Sequence, residues 1–117
     1  MGDPNSVSPK RPTLDISNAM RYYPRMIVSF RCSDTEALAN GRPVRRFRNI
    51  ESAARRKLRQ LEIAVHLQDL RVPPGNRLEA LIEDRAGQHS IRVNDQFRIC
   101  FRWTLAGPED VEIVDYH

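Results

Sequence analysis

Residues 73–117 read PPGNRLEALIEDRAGQHSIRVNDQFRICFRWTLAGPEDVEIVDYH, and the parity of their apolar positions decides the fold. Phe97, Ile99, Phe101 and Trp103 share one parity, with Arg98, Cys100 and Arg102 on the other. His89, Ile91 and Val93 likewise alternate with Ser90 and Arg92. Successive side chains of a strand point to opposite faces, so each run is a strand with one apolar face. If both apolar sets face one core, Val93 pairs with Phe97, Ile91 with Ile99 and His89 with Phe101. The loop is then Asn94-Asp95-Gln96, a common hairpin length. A two-residue loop would instead set Arg98 opposite Ile91 and break the pattern. The preferred register makes Arg92 and Arg98 cross-strand neighbours. That pair is unfavourable unless an anion or a carboxylate sits nearby.

The flanks complete a meander. Leu78 to Ile82 reads as a weak strand, and Gly107-Pro108 as the turn into a last strand. Val111 and Ile113 then face the core, leaving Glu112, Val114 and Tyr116 on the arginine side. The run ends on Asp115-Tyr116-His117. Histidine, tyrosine and a carboxylate beside sheet arginines suggest proton transfer next to a phosphate. The plainer alternative is a basic sheet carrying an incidental histidine.

Moving toward the N-terminus, Pro73-Pro74-Gly75 closes a helical region, with Pro-Gly suited to a type II turn. Ile50, Ala54, Leu58, Leu61 and Val65 recur at helical spacing and form a stripe to pack on the sheet. Asn49 is the expected cap of that helix, and Arg55, Arg56 and Arg59 fall mainly off the stripe. Ser33-Asp34-Thr35-Glu36 fits a capping box, with Ser33 as N-cap, for a shorter helix stopping near Gly41. Ile27-Val28-Ser29-Phe30 reads as a first strand. The order is strand, two helices, then a four-stranded meander, which is α+β with helices on one face of a largely antiparallel sheet.

Residues 1–25 hold four of the eight prolines and show no periodicity, so disorder is expected there. Asp3-Pro4-Asn5-Ser6 matches a translated cloning polylinker, and Met26 is a plausible natural start. The expected division is a leader or cloning-derived extension over 1–25 and one domain over 26–117.

At 117 residues with 40% hydrophobic positions, the chain supports one small core. No apolar run reaches the roughly 18 residues of a membrane span, and no secretory signal is visible. Cys32 and Cys100 lack metal-ligand spacing, which fits a reduced cytoplasmic setting. Net charge is +4. From Arg42 to Arg59, eight basic residues face one acid, Glu51. Such an arginine-rich patch fits a polyanion or an acidic protein surface, against the plainer reading of a solvated helix face.

The runs PPGNRLEAL, DRAGQHSIRVNDQFRICFRW and DVEIVDYH, with the opening Met26-Ile27-Val28-Ser29-Phe30, resemble the HigB-type toxins of the RelE/ParE superfamily. The resemblance covers Met26 to His117. It implies a RelE-like fold and a toxin of a bacterial toxin–antitoxin pair. The expected activity is a ribosome-dependent endoribonuclease that cuts mRNA without metal or other cofactor. The expected partner is a HigA-type helix-turn-helix antitoxin, with operator DNA met only through that antitoxin. Asp115, Tyr116 and His117 match the catalytic triplet. Arg98 matches the arginine placed on the scissile phosphate, and Arg77 and Arg85 match further basic positions. Some members carry a second active-site histidine where this chain has Glu79, which puts a two-histidine mechanism in doubt.

RNA cleavage of this kind needs a base for the 2′-OH, cations for the phosphorane and an acid for the 5′-oxygen. The carboxylates near His117 favour its imidazolium, which suits the acid. Tyr116 is suited to donate to a phosphate oxygen or to stack on a base. Arg98, with Arg92 beside it, supplies charge. Glu79 is a candidate base, with orientation of the nucleotide by the ribosome as the rival. Arg55, Arg56 and Arg59 are the expected RNA-facing cations of the helix. His66 and His89 read as structural. Two other functions compete: a ParE-like toxin acting on DNA gyrase, and a non-catalytic RNA- or protein-binding module.

Overall fold

The alternation from His89 to Trp103 folds as its parity requires. The computed structural model describes residues 26–116 and holds a four-stranded antiparallel meander in sequence order. Its strands are β1 (Glu79–Ala80), β2 (His89–Arg92), β3 (Phe97–Thr104) and β4 (Gly107–Asp115). Between β2 and β3, His89 faces Phe101, Ile91 faces Ile99 and Arg92 faces Arg98, the expected register. The Val93 N–H reaches the Phe97 carbonyl at 2.9 Å and closes the Asn94-Asp95-Gln96 loop. The Asn94 side chain fixes that loop by accepting from the N–H groups of Gln96 and Phe97, at 2.9 and 2.7 Å.

Among the described residues, α1 (Ser33–Ala39) and α2 (Glu51–Ile63) are the two α-helices. Ile50, Ala54, Leu58 and Leu61 face Ile91, Ile99, Phe101, Val111 and Ile113 in one core, closed by Leu38, Phe47 and Leu70. The buried Thr35 hydroxyl accepts the Ile113 N–H at 3.0 Å and ties α1 to β4. Gly41 ends α1 with φ +90°. Its N–H meets the Leu38 carbonyl and the Arg42 N–H meets the Ala37 carbonyl, the paired bonds of a left-handed helix terminus.

Several local expectations are corrected. The N-terminal strand shrinks to a single parallel bridge, Phe30 to Val111. It is held by backbone bonds of Val28 to Pro108 and of Val111 to Ser29. Close approach there requires Gly107, since a Cβ on it would lie 2.5 Å from the Met26 carbonyl. Ser33 is not an N-cap. Cys32 holds that position, and no side chain caps the helix. Nor does Asn49 cap α2: it lies in a 3₁₀ turn, Arg45–Ile50, that runs into the helix and buries Phe47.

Val65 is 55% exposed, because Ala64 turns extended after Ile63 and takes the core position itself. His66 therefore lies beyond α2. The Asp69 carboxylate accepts the N–H groups of Val65 and His66, both at 3.0 Å, and starts a short 3₁₀ turn, Leu67–Arg71. Pro74–Asn76 is a 3₁₀ turn instead of a type II turn. Asn76 is buried there, donating to the Leu70 carbonyl at 3.0 Å and accepting from Lys57 Nζ at 2.6 Å. The strand expected over Leu78–Ile82 keeps only two residues. Gly107 and Pro108 already belong to β4, and the turn is Leu105-Ala106, held by the Thr104 hydroxyl.

Candidate active site on the arginine face

The sheet face away from the helices is partly covered. After β1 the chain laps back over it, and Arg85 reaches Glu112 on β4 at 3.5 Å and the Gln88 side chain at 3.0 Å. Beneath lie Ser90, Cys100 and Gln88, all buried. Burial pushes the Cys100 thiol up, which keeps it protonated and inert. The same face also holds a recess of about 260 Å³, lined by Arg77, Arg92, Asn94, Asp95, Arg98 and Tyr116.

Arg98 is the centre of that recess. Its side chain is only 11% exposed, so it does not project freely into solvent as a lone phosphate ligand would. Nε donates to the Ser90 hydroxyl at 2.8 Å, and Nη2 donates to the Arg77 carbonyl at 2.7 Å. The Glu79 carboxylate lies 3.2 Å from Nη2. The guanidinium carbon stands 5.7 Å from the centre of the Tyr116 ring, within cation–π range. The like charge of Arg92 is offset by Asp95, its ion-pair partner in the hairpin loop. The carboxylates that the adjacent arginines demanded are thus Glu79 and Asp95.

Tyr116 is placed by its own N–H, which donates to the Gln96 carbonyl at 2.6 Å. The Gln96 side chain donates to Asp115 at 3.0 Å. The β2–β3 loop therefore fixes the end of β4 beside Arg98. His117 lies outside the described residues. Arg85, Glu79 and Tyr116 also border a second, shallower groove beside β1.

The helix cations do not join this recess. Arg55 is spent on structure: it donates to the carbonyls of Leu38 and Arg42 at 3.1 and 3.0 Å and pairs with Glu51 at 3.2 Å. Arg56 and Arg59 stay exposed and rim a separate groove floored by Ile27, Ala39 and Leu58. His89 stacks on Phe101 with ring centres 6.3 Å apart, as its apolar parity implies. Ser90, Asn94 and Gln96 are the site residues that reading by charge misses. For Ser90 the available signal is position, a small hydroxyl on the arginine parity and diagonal to Arg98.

At Cys32, burial pushes the thiol up. The Thr35 N–H and hydroxyl, the Asp34 N–H and the Arg46 charge outweigh that and bring it below its ordinary range. Among the described residues no three His, Cys, Asp or Glu side chains gather to hold a metal ion. No described helix is long and apolar enough to cross a membrane.

The arrangement offers an anion a set of fixed cations beside a phenol. Residues 43–117 match the family model of the RelE-like toxin of the type II toxin–antitoxin system HigB. The chain is also 51% identical over 55 residues to Toxin HigB-1 of Vibrio cholerae serotype O1 (strain ATCC 39315 / El Tor Inaba N16961). That stretch is 47% of this chain and spans 58% of the Vibrio toxin's length. With its family match running through the whole arginine face, the chain belongs to the HigB-like toxins of type II toxin–antitoxin systems.

Proposed function

We propose that this toxin is a ribosome-dependent mRNA endoribonuclease that arrests translation in the cytoplasm, and that within its family it resembles the GraT toxin. The observation that carries the reading is the meeting of Arg98 and Tyr116 across one recess, with Arg77 and Arg92 on its walls. Cleavage at a phosphodiester without a cofactor needs preorganised positive charge where the phosphorane forms. Buried or half-buried guanidinium groups supply that charge with little reorganisation. In this reading the scissile phosphate enters the recess, Arg98 binds a non-bridging oxygen, and Tyr116 donates to phosphate or stacks on a base. His117 protonates the 5′-oxygen, and Asp115 orients it. Arg85 steadies the edge of the site through its ion pair with Glu112. The exposed Arg56 and Arg59 face ribosomal RNA. A HigA-type antitoxin neutralises the toxin and carries the pair to operator DNA.

The test is to map the 5′-ends of cellular mRNA after brief induction of the wild type, Arg98→Ala and His117→Ala. Discrete new 5′-ends with the wild type, lost in both variants, support the reading. Arrested replication with intact mRNA would instead point to a gyrase-directed toxin.

A further inference from the structure

Arginine carries five N–H donors in a rigid planar fork. In Arg98, Nε–H donates to the Ser90 hydroxyl and Nη2 donates to the Arg77 carbonyl, while the Glu79 carboxylate forms an ion pair with Nη2 at 3.2 Å. These three acceptors sit on different elements: β2, the connection before β1, and β1 itself. They hold the guanidinium plane along one edge and one end. Both Nη1 protons lack a partner among the described residues. Ser90 is fully buried, so its hydroxyl gains its partner from Arg98 and not from water. Glu79 is 55% exposed and stands on a two-residue edge strand.

We propose that Ser90 and Glu79 are positioning residues, which together with the Arg77 carbonyl lock the Arg98 guanidinium so that only its Nη1 edge is offered to the phosphate. This rests on the reading that Arg98 meets the scissile phosphate. It assigns to Glu79 a different task from that of a base for the 2′-OH. A carboxylate 3.2 Å from an arginine nitrogen is turned toward that arginine. Its Oε1 is directed at the fork. A phosphate arriving at Nη1 meets a cation whose orientation is already set, so binding does not have to order it. Three chain segments converge on one side chain because no single one supplies all three partners.

The experiment uses the full chain and ribosomes programmed with a short mRNA, in single-turnover mode. Wild type, Arg98→Ala, Ser90→Ala, Glu79→Ala and Glu79→Gln are compared for limiting rate, half-saturating toxin concentration and pH dependence. A loosened guanidinium costs about tenfold to a hundredfold in rate. Ser90→Ala and Glu79→Ala are expected to lose that much limiting rate at unchanged half-saturation. Glu79→Gln, which keeps an acceptor, should recover part of the loss, with the acidic limb of the pH profile in place. The second readout is the Arg98 Nε–H signal in ¹⁵N NMR spectra. It should be protected from exchange in the wild type and exposed in Ser90→Ala, with the remaining amide spectrum preserved.

Glu79→Gln as slow as Glu79→Ala, with the acidic limb gone, would make Glu79 the base and overturn the inference. So would Ser90→Ala and Glu79→Ala variants as fast as the wild type when Arg98→Ala is inactive. An active Arg98→Ala would remove the phosphate reading itself, and the positioning role with it. Should Ser90→Ala not fold, the exposed Glu79 pair decides the question alone.

Discussion

Arg98 is held by three segments of the chain beside Tyr116. Its guanidinium is nearly buried, yet it lies beside an exposed tyrosine and a half-exposed carboxylate. Arg98→Ala should lower cleavage about 10²- to 10³-fold, measured on ribosome-bound mRNA. Arg98→Lys should restore little of it, because an ammonium lacks the planar fork that the three acceptors grip. The pairing of Arg98 with Arg92 was legible from parity alone, because a period of two leaves one register that buries the apolar set. Ser90 and the Arg77 carbonyl were not legible. One acts diagonally across strands, and the other is a backbone group 21 positions away whose direction no residue type announces. The same limit explains Arg55, which reads as a free cation but is bound to two carbonyls of the α1 terminus.

Among the elements, α2 owes its place to three buried side chains, Ala54, Leu58 and Leu61, and little to its ends. Leu61 is fully buried against the sheet, so Leu61→Ala should cost about 2–5 kcal/mol in chemical denaturation. The stripe was readable because burial repeats with the helical period. The helix starts were misread, since a favourable cap is worth only about 1 kcal/mol. Packing overrides that amount: burying Phe47 in the 3₁₀ turn moves the start of α2 past Asn49.

Beyond α2, the carboxylate of Asp69 lies below its usual range because the N–H groups of His66 and Val65 donate to it. A carboxylate lowered on folding stabilises the fold above its unfolded value. That contribution is lost as pH falls through the folded value. Asp69→Ala should therefore melt at lower temperature than the wild type near pH 7. The two proteins should converge below about pH 4, the ordinary carboxylate range. Melting curves across that interval check the sign.

For the molecule as a whole, positive charge is distributed over two surfaces with different work. In the recess on the sheet Arg92 and Arg98 are held in ion pairs, whereas Arg56 and Arg59 on α2 remain exposed. Reversing Arg56 and Arg59 to glutamate should weaken ribosome association without unfolding the domain. It should also lower the salt dependence of binding by roughly one unit of slope per lost phosphate contact. Arg55→Ala should act differently, lowering the melting temperature through the freed carbonyls of Leu38 and Arg42. The eight-to-one charge count across Arg42–Arg59 thus joins Arg55, bound to two carbonyls, with Arg56 and Arg59, which are exposed.

The parallel bridge of Phe30 to Val111 has a mechanical consequence. It joins the beginning of the described domain to its last strand, with backbone bonds at Val28, Ser29 and Arg31. Tension applied at Met26 and at Tyr116 pulls these two parallel segments in opposite directions along their length. The bonds are then loaded together in shear and not opened one after another like a zipper. A force applied between those two ends must break that clamp, in which Val111 is fully buried and Phe30 packs against the core.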